Sequence, residues 1–219
     1  MKIKWLGHSA FLITAEDGTR VLMDPYESGA YGGGIGYGPI QESADIVTVS
    51  HDQHEDHNYV KASAGNPVVV KTAGKEQVKG FHITRVPTFH DNSQGKERGK
   101  NLVICLEKDG LRICHLGDLG HVLSPAQVKE IGAVDIVLIP VGGTFTIDPK
   151  EATEVVTLLK PKVVIPMHYK TPKCGFPLAG VDEFTEGKER VRHQGSSENV
   201  LKKDTLPDTT EIVVLDHAL

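Results

Sequence analysis

The sequence predicts an α/β (α+β) fold, and three observations support that prediction. Short apolar runs separated by turn signals follow one another from residue 3 to residue 115, as expected for strands. Two segments in the second half of the chain begin with capping signals that are typical of helices. An apolar run follows each of these helices, and such runs are typical of strands buried between helices.

Strands account for most of the regular structure predicted in the first half. Glu16-Asp17-Gly18 and Lys108-Asp109-Gly110 are turn signals that join neighbouring strands into hairpins. The predicted strands cover residues 3–6, 11–14, 20–23, 46–49, 68–71, 81–86, 102–107 and 111–115.

The second half adds two helices and three strands. Ser124-Pro125-Ala126-Gln127 is a capping box with proline at the first helical position, and it predicts a helix to about Ile131. Asp148-Pro149-Lys150-Glu151 is the acidic analogue and opens a helix through Leu159, which Pro161 then ends. The predicted strands cover residues 136–139, 163–166 and 211–215.

Composition and charge limit the class of protein. Of the 219 residues, 39% are hydrophobic and 24% are charged, so we expect one globular domain over residues 1–219. The net charge of −5, without a basic stripe, argues against a nucleic-acid partner but allows a small anionic substrate. No apolar run reaches the roughly 20 residues of a spanning helix, so no membrane partner is expected. Homo-oligomerisation stays open.

The cysteines and the first residues favour a cytoplasmic location. Cys105, Cys114 and Cys174 lack the spacing of a disulfide framework, so we expect reduced thiols. The segment Met1–Trp5 has the pattern of a strand and lacks the apolar region of a signal peptide.

A glycine-rich loop spans residues 28–39. It is either a mobile lid or substrate loop, or an irregular connection, and we favour the connection. No Gly-Lys-Ser/Thr follows it, so the pattern is not that of a phosphate-binding loop.

A cluster of histidines and carboxylates follows the apolar run at residues 45–49. The segment reads Ser50-His51-Asp52-Gln53-His54-Glu55-Asp56-His57. Neutral imidazole and carboxylate are ligand types that suit a borderline divalent metal such as zinc. Protonated histidines this close together would repel one another, so a cation explains the cluster better than a solvated loop does.

Three more residues of ligand type follow other predicted strands. These are His90, Asp118 and His168. Open α/β sheets place their sites beyond the carboxyl ends of strands. Four strand ends with ligand-type side chains therefore predict one shared metal centre.

The chain resembles the metallo-β-lactamase superfamily, in the metal-dependent hydrolase branch that is related to L-ascorbate-6-phosphate lactonase. The resemblance rests on Trp5-Leu6-Gly7-His8-Ser9, on Met23-Asp24-Pro25, on the match of His51–His57 to the signature His-x-His-x-Asp-His, and on the three later residues. It implies a four-layer αββα sandwich that carries its metals at one rim of the two sheets.

The resemblance also implies a ligand set for one or two divalent metal ions. We expect zinc, with manganese or iron as alternatives. One ion would be held by His51 (or Asp52), His54 and His90, the second by Asp56, His57 and His168, and Asp118 would bridge the two.

The spacing departs from the family pattern at the first position. The family places one residue between its first two histidines, whereas Asp52 and Gln53 separate His51 from His54. Either the turn bulges by one residue and His51 still reaches the metal, or Asp52 coordinates it instead. We favour His51, because a loop accommodates one extra residue easily.

The expected chemistry is hydrolysis of a small ester, lactone or phosphoester by a hydroxide that the metal activates. Asp56 and His8 are the expected catalytic residues, and His8 would orient the substrate, donate a proton or support a ligand. A nuclease-type phosphodiesterase of the same superfamily and a non-enzymatic metal-binding protein are the alternatives.

Overall fold

The computed structural model describes residues 1–54 and 56–219, and the strands of these residues form two sheets. The first sheet contains β1 (Lys2–Gly7), β2 (Ala10–Thr14), β3 (Arg20–Met23), β4 (Ile46–Thr48), β5 (Val68–Val70) and β13 (Glu198–Val200). Their spatial order is β13-β1-β2-β3-β4-β5.

The second sheet is larger. It contains β6 (Gly74–Val78), β7 (Phe81–Phe89), β8 (Lys100–Lys108), β9 (Leu111–His115), β10 (Ile136–Pro140), β11 (Val163–Met167), β12 (Val191–His193) and β14 (Glu211–Val214). Their order is β12-β14-β11-β10-β9-β8-β7-β6. The helices are α1 (Ala30–Gly33), α2 (Pro125–Ile131), α3 (Pro149–Leu159) and α4 (Val181–Thr185), with short 3-10 turns at Val60–Ala62 and Lys203–Thr205.

The main core lies between the two sheets because the facing sides of both are apolar. On β1 and β2, alternate residues such as Trp5, Phe11 and Ile13 point to this core. On the second sheet, β10 and β11 are buried along their whole length, as expected of parallel strands that are covered on both faces.

Different structures cover the outer faces of the two sheets. Helices α2, α3 and α4 contribute Ile131, Val155 and Phe184 to the same apolar cluster as the second sheet. The glycine-rich loop, residues 28–39, covers the first sheet, where Ile35 and Tyr37 are buried among strand residues. The loop thus packs as an outer layer of the first sheet.

Gly7 allows Tyr37 to approach the sheet. Its φ is 121°, and a Cβ at this position would lie 2.4 Å from a ring carbon of Tyr37. A larger residue would therefore push the outer layer away from the first sheet, in addition to straining the backbone.

All predicted strands and both predicted helices are present, with small differences in length. Both capping boxes form, with Ser124 accepting from the backbone N–H of Gln127 and Asp148 accepting from that of Glu151. Strand β7 continues past Pro87, where a strand normally ends. It can do so because β6 pairs with β7 only up to Arg85, which leaves the proline on an open edge.

Strands β6, β12 and β13 and helix α4 were not predicted from the sequence. They are short, and they either are polar or begin without a capping signal. Strand β6 (Gly-Lys-Glu-Gln-Val) is mostly exposed, and β12 and β13 have three residues each. All three are edge strands, which bury little and so show no apolar pattern. Helix α4 begins after Gly180 without a side-chain cap.

Strand direction brings the ends of β7, β9 and β11 to one edge of the second sheet. Strands β9, β10 and β11 are parallel. Strand β8 is antiparallel to both β7 and β9, so β7 runs in the same direction as β9. His90, Asp118 and His168 therefore leave the sheet at the same rim.

The turn after β9 packs directly on the residues after β7. Gly120 donates its N–H to the carbonyl of Phe89, and a Cβ on Gly120 would lie 2.2 Å from the carbonyl carbon of His90. We expect Gly120→Ala to lower the free energy of unfolding by about 1–3 kcal/mol or more, because backbone atoms must move apart.

Urea unfolding of Gly120→Ala and of Gly180→Ala tests this expectation. Gly180 has φ of −74°, and a Cβ on it would have no neighbouring atom within 4 Å, so alanine should change stability by less than about 0.5 kcal/mol there. Equal unfolding midpoints for the two variants would contradict the close approach at Gly120.

Candidate metal centre

The loops after β4, β7, β9 and β11 bring ligand-type side chains together around the carboxylate of Asp118. Its Oδ1 lies 2.9 Å from Nε2 of His57. Its Oδ2 lies 3.3 Å from Nε2 of His90, 3.5 Å from Nε2 of His168 and 3.9 Å from Nε2 of His51. The four strand ends thus meet at one place, as the sequence predicts.

The donor atoms fall into three overlapping groups. Within each group, one donor atom from every residue lies within 4.8 Å of the others, whereas ligands of a tetrahedral zinc ion with bonds of about 2.0–2.1 Å lie roughly 3.4 Å apart. The groups are His8–His57–His168, His51–His54–His90 and His51–His57–Asp118.

The nitrogen chemistry of His51 fits a metal ligand. Its side chain is buried, and its Nε2 has no hydrogen-bond partner among the described residues. Burial, together with the neighbouring His57, holds the pKa of His51 well below its usual value, so the ring is neutral. A neutral imidazole with an unused nitrogen is the form that binds zinc.

A buried carboxylate fixes which nitrogen of His51 faces the cluster. Ser50 Oγ donates to Asp24 Oδ2 at 2.5 Å, and the Ser50 backbone N–H donates to Asp24 Oδ1 at 2.7 Å. The Ser50 oxygen, 3.0 Å from Nδ1 of His51, is then available to accept from an Nδ1–H. A proton on Nδ1 would fit this contact and would leave the lone pair of Nε2, 3.9 Å from Asp118 Oδ2, for a metal.

Asp118 is also held by the protein around it. Its backbone N–H donates to Asn101 Oδ1 at 3.0 Å, and Ser9 Oγ donates to its Oδ1 at 3.4 Å. His115 accepts at Nδ1 from Gly117 N–H and donates from Nε2 to the carbonyl of Ser9. His115 thus connects the turn at Ser9 with the turn at Gly117, which directly precedes Asp118.

Opposite charges inside the cluster stabilise one another. Burial alone would raise the pKa of Asp118, but His168 and His57 hold the pKa well below its usual range. Burial acts on Asp56 in the same sense, and there His57 and His8 keep the pKa low. For His57, burial is outweighed by Asp118 and Asp56, which raise its pKa well above the usual value.

His8 lies beside the cluster in the tight turn between β1 and β2. Its Nε2 is 3.3 Å from Asp56 Oδ2, and its ring centroid is 4.2 Å from that of His168. Its carbonyl accepts from Trp5 Nε1 and from the backbone N–H of His168. Burial and the neighbouring His168 lower the pKa of His8 to about 4, although its bond to Asp56 opposes this change.

Asp52 does not join the cluster. Its side chain is 67% exposed and its carboxylate faces Lys71 Nζ at 3.7 Å. His54 is half-buried and forms a group with His51 and His90. The structure therefore places the side chain of His51, and not that of Asp52, beside the other candidate ligands. Glu55 lies outside the described residues.

A pocket of about 300 Å³ opens onto the cluster. Its floor consists of the expected site residues His54, Asp56, His90, Asp118 and His168. Its walls are Tyr31, Arg98, Phe145 and Phe176, none of which the sequence interpretation assigned to a site. Tyr31 comes from the short helix α1 within the glycine-rich loop and the other three come from loops, and none follows a strand-end pattern. Asp24 also went unassigned as a site residue, although it directly follows β3 and so obeys the strand-end rule.

Comparison with known proteins identifies the class. The beta-lactamase superfamily domain matches residues 2–168. A UPF0173 metal-dependent hydrolase of Thermus thermophilus is 30% identical over 223 residues, covering 92% of this chain and 96% of the relative. A second one, of Thermococcus kodakarensis, is 33% identical over 196 residues and covers 78% and 85%.

A solved structure supports the same superfamily. A protein of Thermotoga maritima, described as a candidate Zn-dependent hydrolase of the metallo-β-lactamase superfamily, is 42% identical, with a TM-score of 0.81 and coverage of 98% and 97% of the two chains. The chain belongs to the metallo-β-lactamase superfamily. Within it, the chain is a metal-dependent hydrolase, which confirms the predicted family, fold and class of enzyme.

The ligand role of His51 stays a prediction that metal analysis can test. We expect His51→Ala to lose at least part of the bound metal, because the variant lacks the buried Nε2. Asp52→Ala should keep the wild-type content, because its carboxylate points to Lys71. Elemental analysis of the purified variants checks both. Loss of metal in Asp52→Ala alone would show that the first ligand is Asp52.

Proposed function

We propose that this enzyme hydrolyses a small ester, lactone or phosphoester at a centre of one or two metal ions. The observation that supports the proposal is the convergence of ligand-type side chains, from four strand ends, beneath one pocket. Zinc suits the nitrogen-rich donor set best, and manganese and iron are the alternatives.

The donor groups suggest how the ions would be held. His51, His54 and His90 form one set, and Asp118 faces both this set and His57 with its two oxygens. The resemblance to the family implies Asp56, His57 and His168 as the second set. In the structure His8 stands in the donor group with His57 and His168, and Asp56 Oδ1 lies 3.2 Å from Nδ1 of His57. When bound, divalent ions lower the pKa of water to about 7 and stabilise negative charge on a carbonyl or phosphoryl oxygen.

Residues of the chain supply orientation and proton handling. Asp118 would fix the spacing of the two ligand sets, because its oxygens contact both. Asp56 Oδ2 faces His8 Nε2, and Tyr31 donates its hydroxyl to Asp56 Oδ1 at 3.4 Å. These bonds aim the Asp56 carboxylate, and we assign Asp56 as the group that orients the attacking water. His8 acts through Asp56.

The pocket favours a small substrate over a nucleic acid. Its volume of about 300 Å³ lies at the lower end of the range of about 300–1,000 Å³ for ligand pockets. The net charge of −5 would repel a polyanion. A nuclease function is therefore the weaker candidate. An open pocket above the ligands also argues against a closed, purely structural metal site.

We further propose a cytoplasmic location. The support is the spacing of the three cysteines, which is not that of a disulfide framework, and all three are buried. Among the described residues, the helices are too short and polar to cross a bilayer.

Asp118→Ala tests the proposed centre. We expect turnover to fall by more than the 10–100-fold that is typical of residues that only support ligands, because the two ligand sets lose their shared carboxylate. A screen of lactones, thioesters and phosphodiesters supplies the assay substrate, and circular dichroism reports folding. Glu130→Ala, on the exposed face of α2, is the matched control. A folded Asp118→Ala protein with near-normal turnover would rule out the shared role.

His8 can be tested separately from the ligands. We expect His8→Phe to keep its metal but to lower kcat by about 10–100-fold, because Asp56 loses the Nε2–H that aims it. His8→Gln, which retains a donor at a similar reach, should recover part of kcat. If His8→Phe instead loses one equivalent of metal, then His8 is a ligand together with His57 and His168.

A further inference from the structure

The walls of the pocket differ chemically from its floor. Three aromatic rings line them, with Phe176 in the middle. The Phe176 ring centroid lies 5.6 Å from that of Tyr31 and 5.6 Å from that of Phe145, and both pairs are edge-to-face. Such walls suit a flat or cyclic apolar group next to the bond that is cleaved.

Arg98 is the only permanent cation among the described residues that line the pocket. Its guanidinium lies 5.9 Å from the centroid of the Phe145 ring, which is within the range of a cation–π contact. Its ion-pair partner, Glu97, is 3.8 Å away and 62% exposed, and an exposed pair of this kind contributes little. The guanidinium therefore retains donors for a ligand.

The backbone that carries Arg98 is tightly held. Asp91 is buried, and its carboxylate accepts from the backbone N–H groups of Ser93, Gly95, Glu97 and Arg98 at 2.7–3.0 Å. The loop from residue 91 to residue 98 is thus wound around one carboxylate. This arrangement sets the position of Arg98 relative to His90, which directly precedes the loop.

Lys170, two residues after His168, already donates its hydrogen bonds to backbone carbonyls. Lys170 Nζ donates to the carbonyls of Cys174 and Phe176 at 2.5 and 3.0 Å, so it holds the loop that carries Phe176. Among the side chains of the pocket walls, Arg98 is therefore the partner that an anionic group would find. A single guanidinium presents one planar fork, which matches a carboxylate through two parallel hydrogen bonds.

We propose that the substrate is an ester or lactone with a flat apolar body and a free carboxylate, in which Arg98 binds the carboxylate and the aromatic walls hold the body. This inference rests on the proposed hydrolase function. The cleaved acyl bond would lie over the metal centre at the other end of the body. Arg98 then determines specificity and does not take part in the bond-breaking step.

Hydrolysis of 4-acetoxybenzoate and of its neutral methyl ester provides a kinetic test. In both, water adds its hydroxyl to the acetyl carbon, the carbon–oxygen bond to the ring oxygen breaks, and the proton goes to the phenol oxygen. We expect the wild type to prefer the carboxylate by about 10- to 100-fold in kcat/KM, as a charged hydrogen-bonded pair would give. The preference should appear mainly in KM.

Variants on the same loop assign the preference to Arg98. In Arg98→Gln, the ratio of the two kcat/KM values should fall towards one, and Arg98→Lys should keep part of it. Lys96→Gln is the matched control, because it removes one exposed positive charge two residues away and outside the pocket. A fall in the ratio in Lys96→Gln as large as that in Arg98→Gln would indicate a general charge effect and overturn the inference.

A binding measurement separates this inference from the proposed function. The probe is 4-(2-oxopropyl)benzoate, in which a CH2 group replaces the ester oxygen, with its methyl ester as the neutral partner. Calorimetric titration of the metal-loaded protein should show tighter binding of the carboxylate in the wild type but not in Arg98→Gln. If the carboxylate bound a metal ion instead, the preference would survive in Arg98→Gln, and the inference would be wrong.

The outcomes are distinct. An Arg98-dependent binding preference without ester turnover supports the inference and contradicts ester hydrolysis. Turnover of both esters at equal rates in the wild type and in Arg98→Gln supports the hydrolase and overturns the role of Arg98.

A third probe, 4-acetoxyphenyl phosphate, tests the choice of anion. If Arg98 favours it over 4-acetoxybenzoate, the ligand is a phosphate and the carboxylate assignment is wrong.

Discussion

The buried carboxylate of Asp118 is the charge on which the rest of the site depends. A buried ion costs several kcal/mol unless opposite charge and hydrogen bonds surround it. Here His57 approaches from the first sheet, and His90 and His168 approach from the second. Because these partners come from both sheets, the geometry of the site depends on how the sheets pack. The apolar core between the sheets thereby sets the spacing of ligands that it does not touch.

Much of the site could be predicted because strand direction follows from simple rules. An apolar run followed by a histidine or aspartate indicates a side chain at the rim, and the parallel course of β9, β10 and β11 places the rims together. The capping boxes at Ser124 and Asp148 were equally predictable, since each depends on four consecutive residues. Local and periodic signals therefore predict the core, the two longer helices and the candidate ligands of the second sheet.

The choice between His51 and Asp52 was open because the departure from the family spacing concerns a loop. Sequence alone does not show which side chain a bulged turn points inward. In the structure, the buried Asp24 holds Ser50, Ser50 holds Nδ1 of His51, and Asp52 turns out to Lys71. The contact that holds Ser50, and through it the ring of His51, joins residues 26 positions apart. The glycine-rich loop was ambiguous for a related reason, since glycine carries no side chain whose pattern could reveal the face that packs.

The floor and the walls of the pocket have different physical origins, which explains why one was predicted and the other was not. The floor is attached to strand ends, which the core holds in place, so its residues show a pattern in the sequence. The walls come from separate loops, among them those that carry Tyr31, Arg98 and Phe176, and nothing periodic links them. Loops on a rigid scaffold can change without disturbing the core. The strands therefore carry the candidate ligands, whereas in the function that we propose the loops would select the substrate, and only the folded chain shows that these loops meet.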